Sequence, residues 1–413
     1  MLMRLHTCLV SLATLGAAAQ PTVETVMDLG DNMPTGVAVT SGGRKFLCFP
    51  RWFADAPQFQ AADYHVAELV AGKLLDYPSK AWNSWTPESP SIEGRFVNVQ
   101  SVFADHLSRL WVLDVGAAYL GNVTAGAPRL HRVDLATNAI VQTCAFNETY
   151  APANSYLNDV RVGTDGRTAY LTNSNNGGLL VVRLDGGGGG DGGDGSGDGG
   201  CATRLVLADH PSTHAEPGVT LTVEGQPLTL AGTNGSAVSF QSDGLAVLNG
   251  YVWFHAVTAH TLWRVPEAVI ADPAASDAAI AAALENMGGG SSPDGMVAAA
   301  DDKLRGRLYL TAVEKDGVDW YDEARTALMP LVVDARLQWP DSAAVPTMGG
   351  GADGGATYLY VTASQVDALP FVAGAKPRRQ PYGLYRVKLP AADIRRDVAA
   401  AAEATRAREE LRE

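Results

Sequence analysis

The sequence predicts an all-β fold, a β-propeller of six blades in which each blade is a four-stranded antiparallel sheet. Short apolar-alternating runs separated by Gly, Asp, Asn and Pro fill the chain up to about residue 270, and this pattern is typical of β-strands. A polar or acidic residue followed by a short apolar strand recurs six times, 47 to 85 residues apart. That spacing leaves room for four strands and their loops, and such sheets packed radially form a propeller.

Each repeat contains strands that can be recognised by their residues. The first strand begins at a polar residue, which we call the anchor, and the six anchors are Thr35, Gln100, Asn158, Asp243, Asp294 and Asp341. The second strand has an aromatic centre, at Phe46, Trp111, Tyr170, Trp253, Tyr309 and Tyr360. In four repeats a third strand carries an arginine within an apolar run, at Arg132, Arg183, Arg264 and Arg386. Residues 23–29 are the candidate for the strand that closes the ring by completing the last blade.

The ends of the chain and two internal segments differ from the repeats. Residues 1–20 have the charged start, short apolar run and small residues of a secretory signal peptide, which predicts a secreted, extracellular protein. A buried N-terminal strand or helix is the alternative. The propeller should then span 21–390, with the Gly- and Asp-rich tract 186–200 as a disordered surface loop. We expect a short helix over 277–286, and an exposed, charged helical tail over 391–413.

Composition narrows the classes of partner. The 413 residues carry 31 Lys and Arg against 45 Asp and Glu, a formal net charge of −14. An acidic surface is poorly suited to phosphate contacts, so no nucleic-acid partner is expected. The apolar run of the leader is too short to span a bilayer, and no later run reaches 18 residues, so no membrane partner is expected either. The oligomeric state stays open.

The secretory leader determines how the cysteines and the glycosylation motifs are interpreted. Its removal leaves three of the four cysteines. Cys48 lies in a buried-strand pattern and is expected to be a free core thiol. Cys144 and Cys201 either pair or stay free, and the sequence leaves both alternatives open. Asn-X-Ser/Thr motifs predict glycosylation at Asn122, Asn147 and Asn234.

An ordered set of motifs resembles the major royal jelly protein/Yellow family over about residues 21–390. The matching stretches are Phe49-Pro-Arg-Trp52, Asp76-Tyr-Pro-Ser79 leading to Trp82, Phe96-Val-Asn-Val-Gln-Ser-Val102, Leu110-Trp-Val-Leu-Asp-Val-Gly116, Ser155-Tyr-Leu-Asn-Asp159, Asp243-Gly244, Ser292-Pro-Asp-Gly295 and Trp339-Pro-Asp341. The resemblance implies a secreted six-bladed propeller with a central channel for a small ligand. Members of the family have been linked to binding of biogenic amines, to conversion of dopachrome-like compounds and to nutritive storage.

The anchors should converge at one mouth of the central channel, because the first strand of every propeller blade lines that channel. The predicted ligand-binding residues at this mouth are Gln100, Asn158, Asp159, Asp243, Asp294 and Asp341, with Trp339, Phe240 and Phe96 as an aromatic wall. Such an oxygen-rich, negative site suits a protonated amine held by carboxylates and aromatic rings. It also suits calcium, with Asn158, Asp243 and Asp294 as the candidate ligands. Alternatively, the Asp-Gly pairs serve only as turns.

Three functions are therefore carried forward. The first is a binding protein for a small amine or catechol-type molecule. The second is an enzyme, either a dopachrome-type tautomerase or a calcium-dependent lactonase, and the third is a structural or storage glycoprotein. Related gluconolactonase and paraoxonase-like propellers hold channel calcium with a Glu of the first blade, where this chain has Thr35, which disfavours the lactonase. The sequence identifies no catalytic residue and no certain cofactor: the histidines lack metal-ligand spacing, and there is no Gly-x-Ser-x-Gly motif.

Overall fold

A computed structural model describes most of the chain. The described residues are 21–53, 64–185, 201–299, 307–323, 325–346, 357–375, 377–379 and 381–389. The predicted signal peptide (1–20), the predicted disordered loop (186–200) and the predicted helical tail (391–413) lie outside these residues.

The chain folds into sheets whose strands follow one another along the sequence. The first sheet contains β2 (Gly36–Val39), β3 (Lys45–Cys48), β4 (Val66–Val70) and β5 (Lys73–Asp76). The second contains β6 (Val99–Ala104), β7 (Leu110–Asp114), β8 (Arg129–Asp134) and β9 (Ala139–Ala145). The third contains β10 (Leu157–Val162), β11 (Thr168–Asn173), β12 (Leu179–Arg183) and β13 (Ala202–Val206). Neighbouring strands are antiparallel throughout these three sheets.

An eight-stranded sheet follows. One half contains β16 (Ser242–Leu248), β17 (Tyr251–Ala256), β18 (Thr261–Pro266) and β19 (Glu285–Gly289). The other half contains β20 (Met296–Ala299), β21 (Arg307–Ala312), β22 (Gly317–Asp322) and β23 (Ala327–Val333). Each half is antiparallel, and the two halves are joined by the pairing of Gly289 with Ala327, which is parallel. A small hairpin of β14 (Thr222–Val223) and β15 (Gln226–Pro227) precedes this sheet.

The last sheet joins the two ends of the fold. It contains β24 (Pro340–Ala344), β25 (Tyr358–Ala363) and β26 (Tyr382–Lys388), and its outermost strand is β1 (Val23–Gly30). Strand β1 pairs antiparallel with β26, in the place expected for the ring-closing strand. The prediction of an all-β propeller with four-stranded antiparallel blades is confirmed, with four such sheets separate and the remaining eight strands in one sheet.

The first strands lie side by side around the centre of the molecule. Strands β2, β6, β10, β16, β20 and β24 contact one another in that order, and β24 contacts β2. These strands are almost wholly buried, as are the second strands with their aromatic centres, because sheets pack against both of their faces. The fourth strand β5 alternates between exposed and partly buried residues, and in the fourth strand β9 only Cys144 is buried. Burial therefore falls from the axis to the rim.

Threonines in the second strands tie neighbouring sheets together. The Thr172 hydroxyl donates to the carbonyl oxygen of Asp243 over 2.6 Å. The Thr311 hydroxyl donates to the carbonyl oxygen of Asp341 over 3.3 Å. The Thr362 hydroxyl donates to the carbonyl oxygen of Thr35 over 3.2 Å. The last of these bonds joins the C-terminal sheet to the residue just before the first strand of the first sheet, and so helps to close the ring.

The Asp-Gly pairs have a structural role that differs from a turn. Gly244 and Gly295 lie at the starts of inner strands, outside the left-handed region of φ. A Cβ at Gly244 would clash with the carbonyl oxygen of Asp294, and one at Gly295 with that of Asp341. The Gly295 amide instead donates to the Asp341 carbonyl over 2.9 Å. Glycine is required because neighbouring inner strands approach closely here.

Helices are short in the described part of the chain. They are α1 (Glu267–Ile270), α2 (Asp277–Ala282) and single 3-10 turns at Ala118–Leu120, Pro211–Thr213, Val313–Lys315, Ala335–Leu337 and Val366–Ala368. The helix predicted over 277–286 is thus too long, because Glu285 and Asn286 pair with β18 as the start of β19. Among the described residues, no helix has the length and apolar character needed to cross a membrane.

The cysteines resolve the alternatives that the sequence left open. Cys144 and Cys201 form a disulfide with a Cα–Cα distance of 5.6 Å, which connects β9 of the second sheet to the residue before β13 of the third. Cys48 is free and buried, as expected for a core thiol, and its Sγ donates to the Gln100 carbonyl over 3.0 Å.

Candidate functional site

A cavity of about 520 Å³ lies where the inner strands begin. Exposed residues such as Leu120, Asn122, Asn154 and Ser239 form its rim, so it reaches the surface. Of the residues predicted at the channel mouth, those that line it are Gln100, Asn158, Asp243, Asp294, Asp341, Trp339 and Phe240. The structure therefore brings together seven of the nine residues selected from the sequence.

Three carboxylates dominate the polar part of the lining. Asp243, Asp294 and Asp341 are 6%, 8% and 6% exposed. The side chains of Asp243 and Asp294 interact directly, and each shifts the pKa of the other. Among the described residues, no lysine, arginine or histidine forms an ion pair with any of the three. The cluster is thus a buried concentration of acidic groups without a basic partner among these residues.

Burial sets the protonation of this cluster, because low-dielectric surroundings disfavour the charged form of a carboxyl group. Desolvation raises the pKa of Asp294 to about 7, and the Trp339 indole N–H, which donates to Oδ2 over 2.7 Å, opposes the shift. The pKa values of Asp243 and Asp341 lie well above the ordinary range, through desolvation first and repulsion from neighbouring carboxylates second. Near neutral pH the cluster therefore holds protons that a bound cation would displace.

Aromatic and amide groups complete the lining. The Trp52 indole donates to the Tyr156 hydroxyl over 2.5 Å, and that hydroxyl donates to Oε1 of Gln100 over 2.7 Å. Phe240 and Phe371 stand edge to face, with ring centroids 6.5 Å apart. All five of these side chains line the cavity. An aromatic wall of this kind attracts a cation or packs against a flat ring.

Asp159 lies away from this cavity, unlike the neighbouring anchor Asn158. It lines a second cavity of about 220 Å³ at the other ends of the inner strands. Its Oδ1 accepts from the Arg161 guanidinium at 2.5 Å and from the Ser101 hydroxyl at 3.0 Å. Because successive strand residues point to opposite sides, Asn158 faces the mouth and Asp159 does not.

Two further residues also lie elsewhere. The first anchor, Thr35, is fully buried, and its hydroxyl donates to the Gln100 carbonyl over 2.9 Å. Phe96, expected in the aromatic wall, is buried against Trp82 at a centroid distance of 4.9 Å and against His131 at 5.6 Å. Both residues stabilise the blades and do not line the cavity.

The donor set does not fit the calcium site considered from the sequence. The Asn158 amide presents its Nδ2 to Oδ2 of Asp243 over 2.7 Å, and the Trp339 N–H faces Asp294. Calcium requires six to eight oxygen ligands, and these N–H groups occupy lone pairs that the ion would need. Within the described ranges, no group of three or more His, Cys, Asp or Glu side chains is placed to hold a metal.

Several lining residues were missed by the sequence analysis. Trp52 and Tyr156 come from loops before β4 and β10, and Val238 and Phe371 from the excursions that precede β16 and follow β25. Trp52 and Tyr156 lie within the family-like motifs Phe49-Pro-Arg-Trp52 and Ser155-Tyr-Leu-Asn-Asp159, and that signal could have identified them. Phe371 had no such signal, because its position depends on the pairing of Leu230 with Val372.

Solved structures with a similar fold include several enzymes. A luciferin-regenerating enzyme is 13% identical with a TM-score of 0.47, covering 89% of this chain and 95% of that one. Virginiamycin B lyase from Staphylococcus aureus is 11% identical with a TM-score of 0.43, covering 89% and 99%. The PQQ-bound aldose sugar dehydrogenase from Streptomyces coelicolor is 13% identical with a TM-score of 0.42, covering 90% and 99%. Likenesses this distant carry no information on activity.

The sequence itself gives a family resemblance over part of the chain. No curated protein matches the chain significantly. The family model described as major royal jelly protein matches residues 97–188. That region contains the motifs Leu110–Gly116 and Ser155–Asp159, and with them the cavity residues Gln100, Tyr156 and Asn158. Over residues 97–188, this β-propeller is therefore similar to the major royal jelly protein family.

Proposed function

We propose that this chain is a secreted, six-bladed propeller that binds a small amine or catechol-type molecule in its central cavity. The observation that carries the proposal is the cluster of Asp243, Asp294 and Asp341, which is buried, faces the cavity and has no basic partner among the described residues. The aromatic wall beside it supplies a second element of recognition.

The blade number rests on the ring of inner strands. The eight-stranded sheet consists of two antiparallel halves that share only the Gly289–Ala327 pairing, far from the axis. Each half has its own inner strand, β16 or β20, beside the central cavity. Counting each half as a blade makes six blades, each with four strands, as the repeat predicts.

Electrostatics favours a cationic ligand. A protonated amine brings into the cavity a positively charged partner for the carboxyl groups. Asp294 and its neighbours therefore ionise as the amine binds. In a site with an effective dielectric constant near 20, two unit charges at about 4 Å attract each other by about 4 kcal/mol. This gain is offset by the desolvation of the amine, which cation–π contact with Trp52 and Tyr156 reduces.

Two amide groups of the cavity lining suit the hydroxyls of a catechol. Gln100 and Asn158 present amides to the cavity, and both already take part in hydrogen bonds that orient them. A flat ring would pack between Phe240 and Trp52, while its amine reaches the carboxylates. An amine that carries a catechol or similar aromatic ring therefore uses every part of the lining.

Calorimetric titration with a panel of aromatic amines and their neutral isosteres tests this proposal. Binding of amines but not of isosteres, weakened tenfold or more by Asp294→Asn, would support it, since that loss corresponds to about 1.4 kcal/mol. Asp209→Asn is the matched control, because Asp209 is exposed and does not line the cavity. The proposal fails if no amine at millimolar concentration gives heat above that of dilution.

A tautomerase is the second candidate, favoured by the direct interaction of the Asp243 and Asp294 carboxyl groups, each of which shifts the pKa of the other. Two carboxyl groups that share a proton supply an acid and a base together. An ionised Asp294 would accept a proton from a substrate carbon while protonated Asp243 donates one to a substrate oxygen, which leaves the composition of the substrate unchanged.

Turnover of a dopachrome-like compound by the purified protein distinguishes this candidate from simple binding. Asp243→Asn should abolish turnover while a bound amine is still detected, because the variant keeps a hydrogen-bonding side chain but loses the acid. Equal turnover in the variant and the wild-type protein would exclude the pair from catalysis. Absence of both turnover and binding would favour the structural or storage role.

A further inference from the structure

We propose that Asn122 carries an N-linked glycan at the entrance of the central cavity, where it slows both the arrival and the departure of the ligand. The inference deepens the proposed function and rests on it for its kinetic part. It follows from the position of one glycosylation motif relative to the cavity.

Asn122 is the only one of the three motif asparagines that lines the cavity, within the described part of the chain. Its side chain is exposed, as attachment of a glycan requires. Its chain neighbours Leu120 and Gly121 also line the cavity, and Leu120 is 45% exposed. A sugar attached to Asn122 would therefore begin on the rim.

The loop that carries Asn122 is held in place on both sides. The amide of Gly121 donates to the Ala118 carbonyl over 3.0 Å, and the amide of Val123 donates to the Ala153 carbonyl over 2.8 Å. The amide of Thr124 donates to the Gly116 carbonyl, also over 2.8 Å. Because these bonds fix the backbone around Asn122, the first sugar has a fixed starting point at the entrance.

The other two motifs provide internal controls. Asn147 is exposed just after β9, and its Oδ1 accepts from the Thr149 amide over 3.0 Å. Asn234 is exposed in a loop closed by the pairing of Thr229 with Ala237. Neither residue lines the cavity. Glycans on them would have the same chemistry as one on Asn122 without its position.

A glycan at the entrance has a characteristic kinetic effect. It obstructs the path to the carboxylates without touching a ligand that is already bound beside them. An obstacle that acts only on the path lowers the association and dissociation rates by the same factor, so the dissociation constant is unchanged. Removal of a sugar that contacted the bound ligand would instead change the dissociation constant, mainly through the dissociation rate.

The experiment uses the full chain secreted from a glycosylating eukaryotic host. Glycopeptide mass spectrometry determines whether Asn122 is modified. Stopped-flow fluorescence then measures the association and dissociation rates of the amine found by calorimetry. The rates are compared among the untreated protein, the protein trimmed to one sugar, Asn122→Gln and Asn147→Gln. We expect both rates to rise by about threefold or more in Asn122→Gln, to rise less in the trimmed protein, and to stay unchanged in Asn147→Gln.

Quenching of tryptophan fluorescence by acrylamide gives a readout that does not depend on amine binding. Trp52 lines the cavity, so quenching should be steeper in Asn122→Gln than in the untreated protein, and unchanged in Asn147→Gln. An unmodified Asn122, or a modified one whose removal alters neither quenching nor the rates, would overturn the inference. Absence of amine binding in every form, together with steeper quenching, would overturn the proposed function but not the position of the glycan.

Discussion

The indole N–H of Trp339 donates to Oδ2 of Asp294 over 2.7 Å beside the central cavity. Trp339 is 1% exposed, and its backbone has a φ of +48°, in the left-handed region that bulky residues rarely adopt. The Trp339 amide is held by Oδ1 of Asp316 at 3.3 Å. The protein therefore maintains a strained backbone at a position that supplies a hydrogen-bond donor to a cavity carboxylate.

Trp339→Phe removes this donor while keeping an aromatic ring. The pKa of Asp294 should then rise above about 7, because the lost hydrogen bond favours the ionised form. Amine affinity measured by calorimetry against pH should reach half of its maximum about one unit higher than in the wild-type protein. Trp85→Phe, a buried tryptophan outside the cavity lining, should leave the profile in place. An unshifted profile in Trp339→Phe would show that the indole does not tune Asp294.

Asp294→Asn should change how folding stability depends on pH. The carboxyl titrates near 3.8 when unfolded and at about 7 when folded, so the folded state holds an extra proton between these values. The stability that this extra proton contributes to the folded state is fully present below about pH 3.8 and is lost as the pH rises through 7. The variant lacks this loss, so its free energy of unfolding relative to wild type should increase by about 4 kcal/mol from pH 4 to pH 8. Urea denaturation at both pH values measures the difference, and a constant difference would contradict the assignment.

His255 should have the opposite effect on acid stability. It is fully buried, both of its ring nitrogens lack a hydrogen-bond partner among the described residues, and burial lowers its pKa to about 3. Between about 6.5 and 3 the unfolded chain binds a proton that the folded protein does not, so this contribution is lost as the pH falls. His255→Phe cannot titrate and should lose less stability than wild type between pH 7 and pH 5 in urea denaturation. An equal or greater loss in the variant would exclude this role.

Thr362→Val tests the bond that helps to close the ring. The substitution keeps the shape of the side chain and removes the hydroxyl that donates to the Thr35 carbonyl. It should lower the free energy of unfolding by about 1 kcal/mol, since a buried acceptor is left without its donor. Thr86→Val, at an exposed threonine, is the control. Equal denaturation midpoints for the two variants would mean that the hydroxyl contributes nothing to closure.

Much of the fold could be predicted because the sequence repeat marks the same strands in every blade. The anchors mark the starts of the inner strands correctly, since alternation and burial repeat in every blade, and β1 lies in the place predicted for it. The role of Gly244 was harder to foresee. An Asp-Gly pair predicts a turn, whereas this glycine allows the close approach of a neighbouring strand that is distant along the chain.

The candidate site could be predicted in part. The anchors Asp243, Asp294 and Asp341 converge because they share one position in the repeat. Asp159 was placed at the wrong end of the channel, since the choice between it and Asn158 depends on the direction of each side chain from the strand. Phe371 could not be found from the repeat, because it reaches the cavity from a loop whose position depends on tertiary contacts.

Proton release on binding tests the central claim most directly. Calorimetric titration of an aromatic amine at pH 6.5, in buffers with different enthalpies of ionisation, measures how many protons leave the complex. If a protonated amine binds against Asp243, Asp294 and Asp341, whose pKa values are raised, about one proton should be released per amine bound, and Asp294→Asn should reduce the number. Binding with no net proton release, the same in wild type and Asp294→Asn, would show that the ligand does not meet these carboxylates.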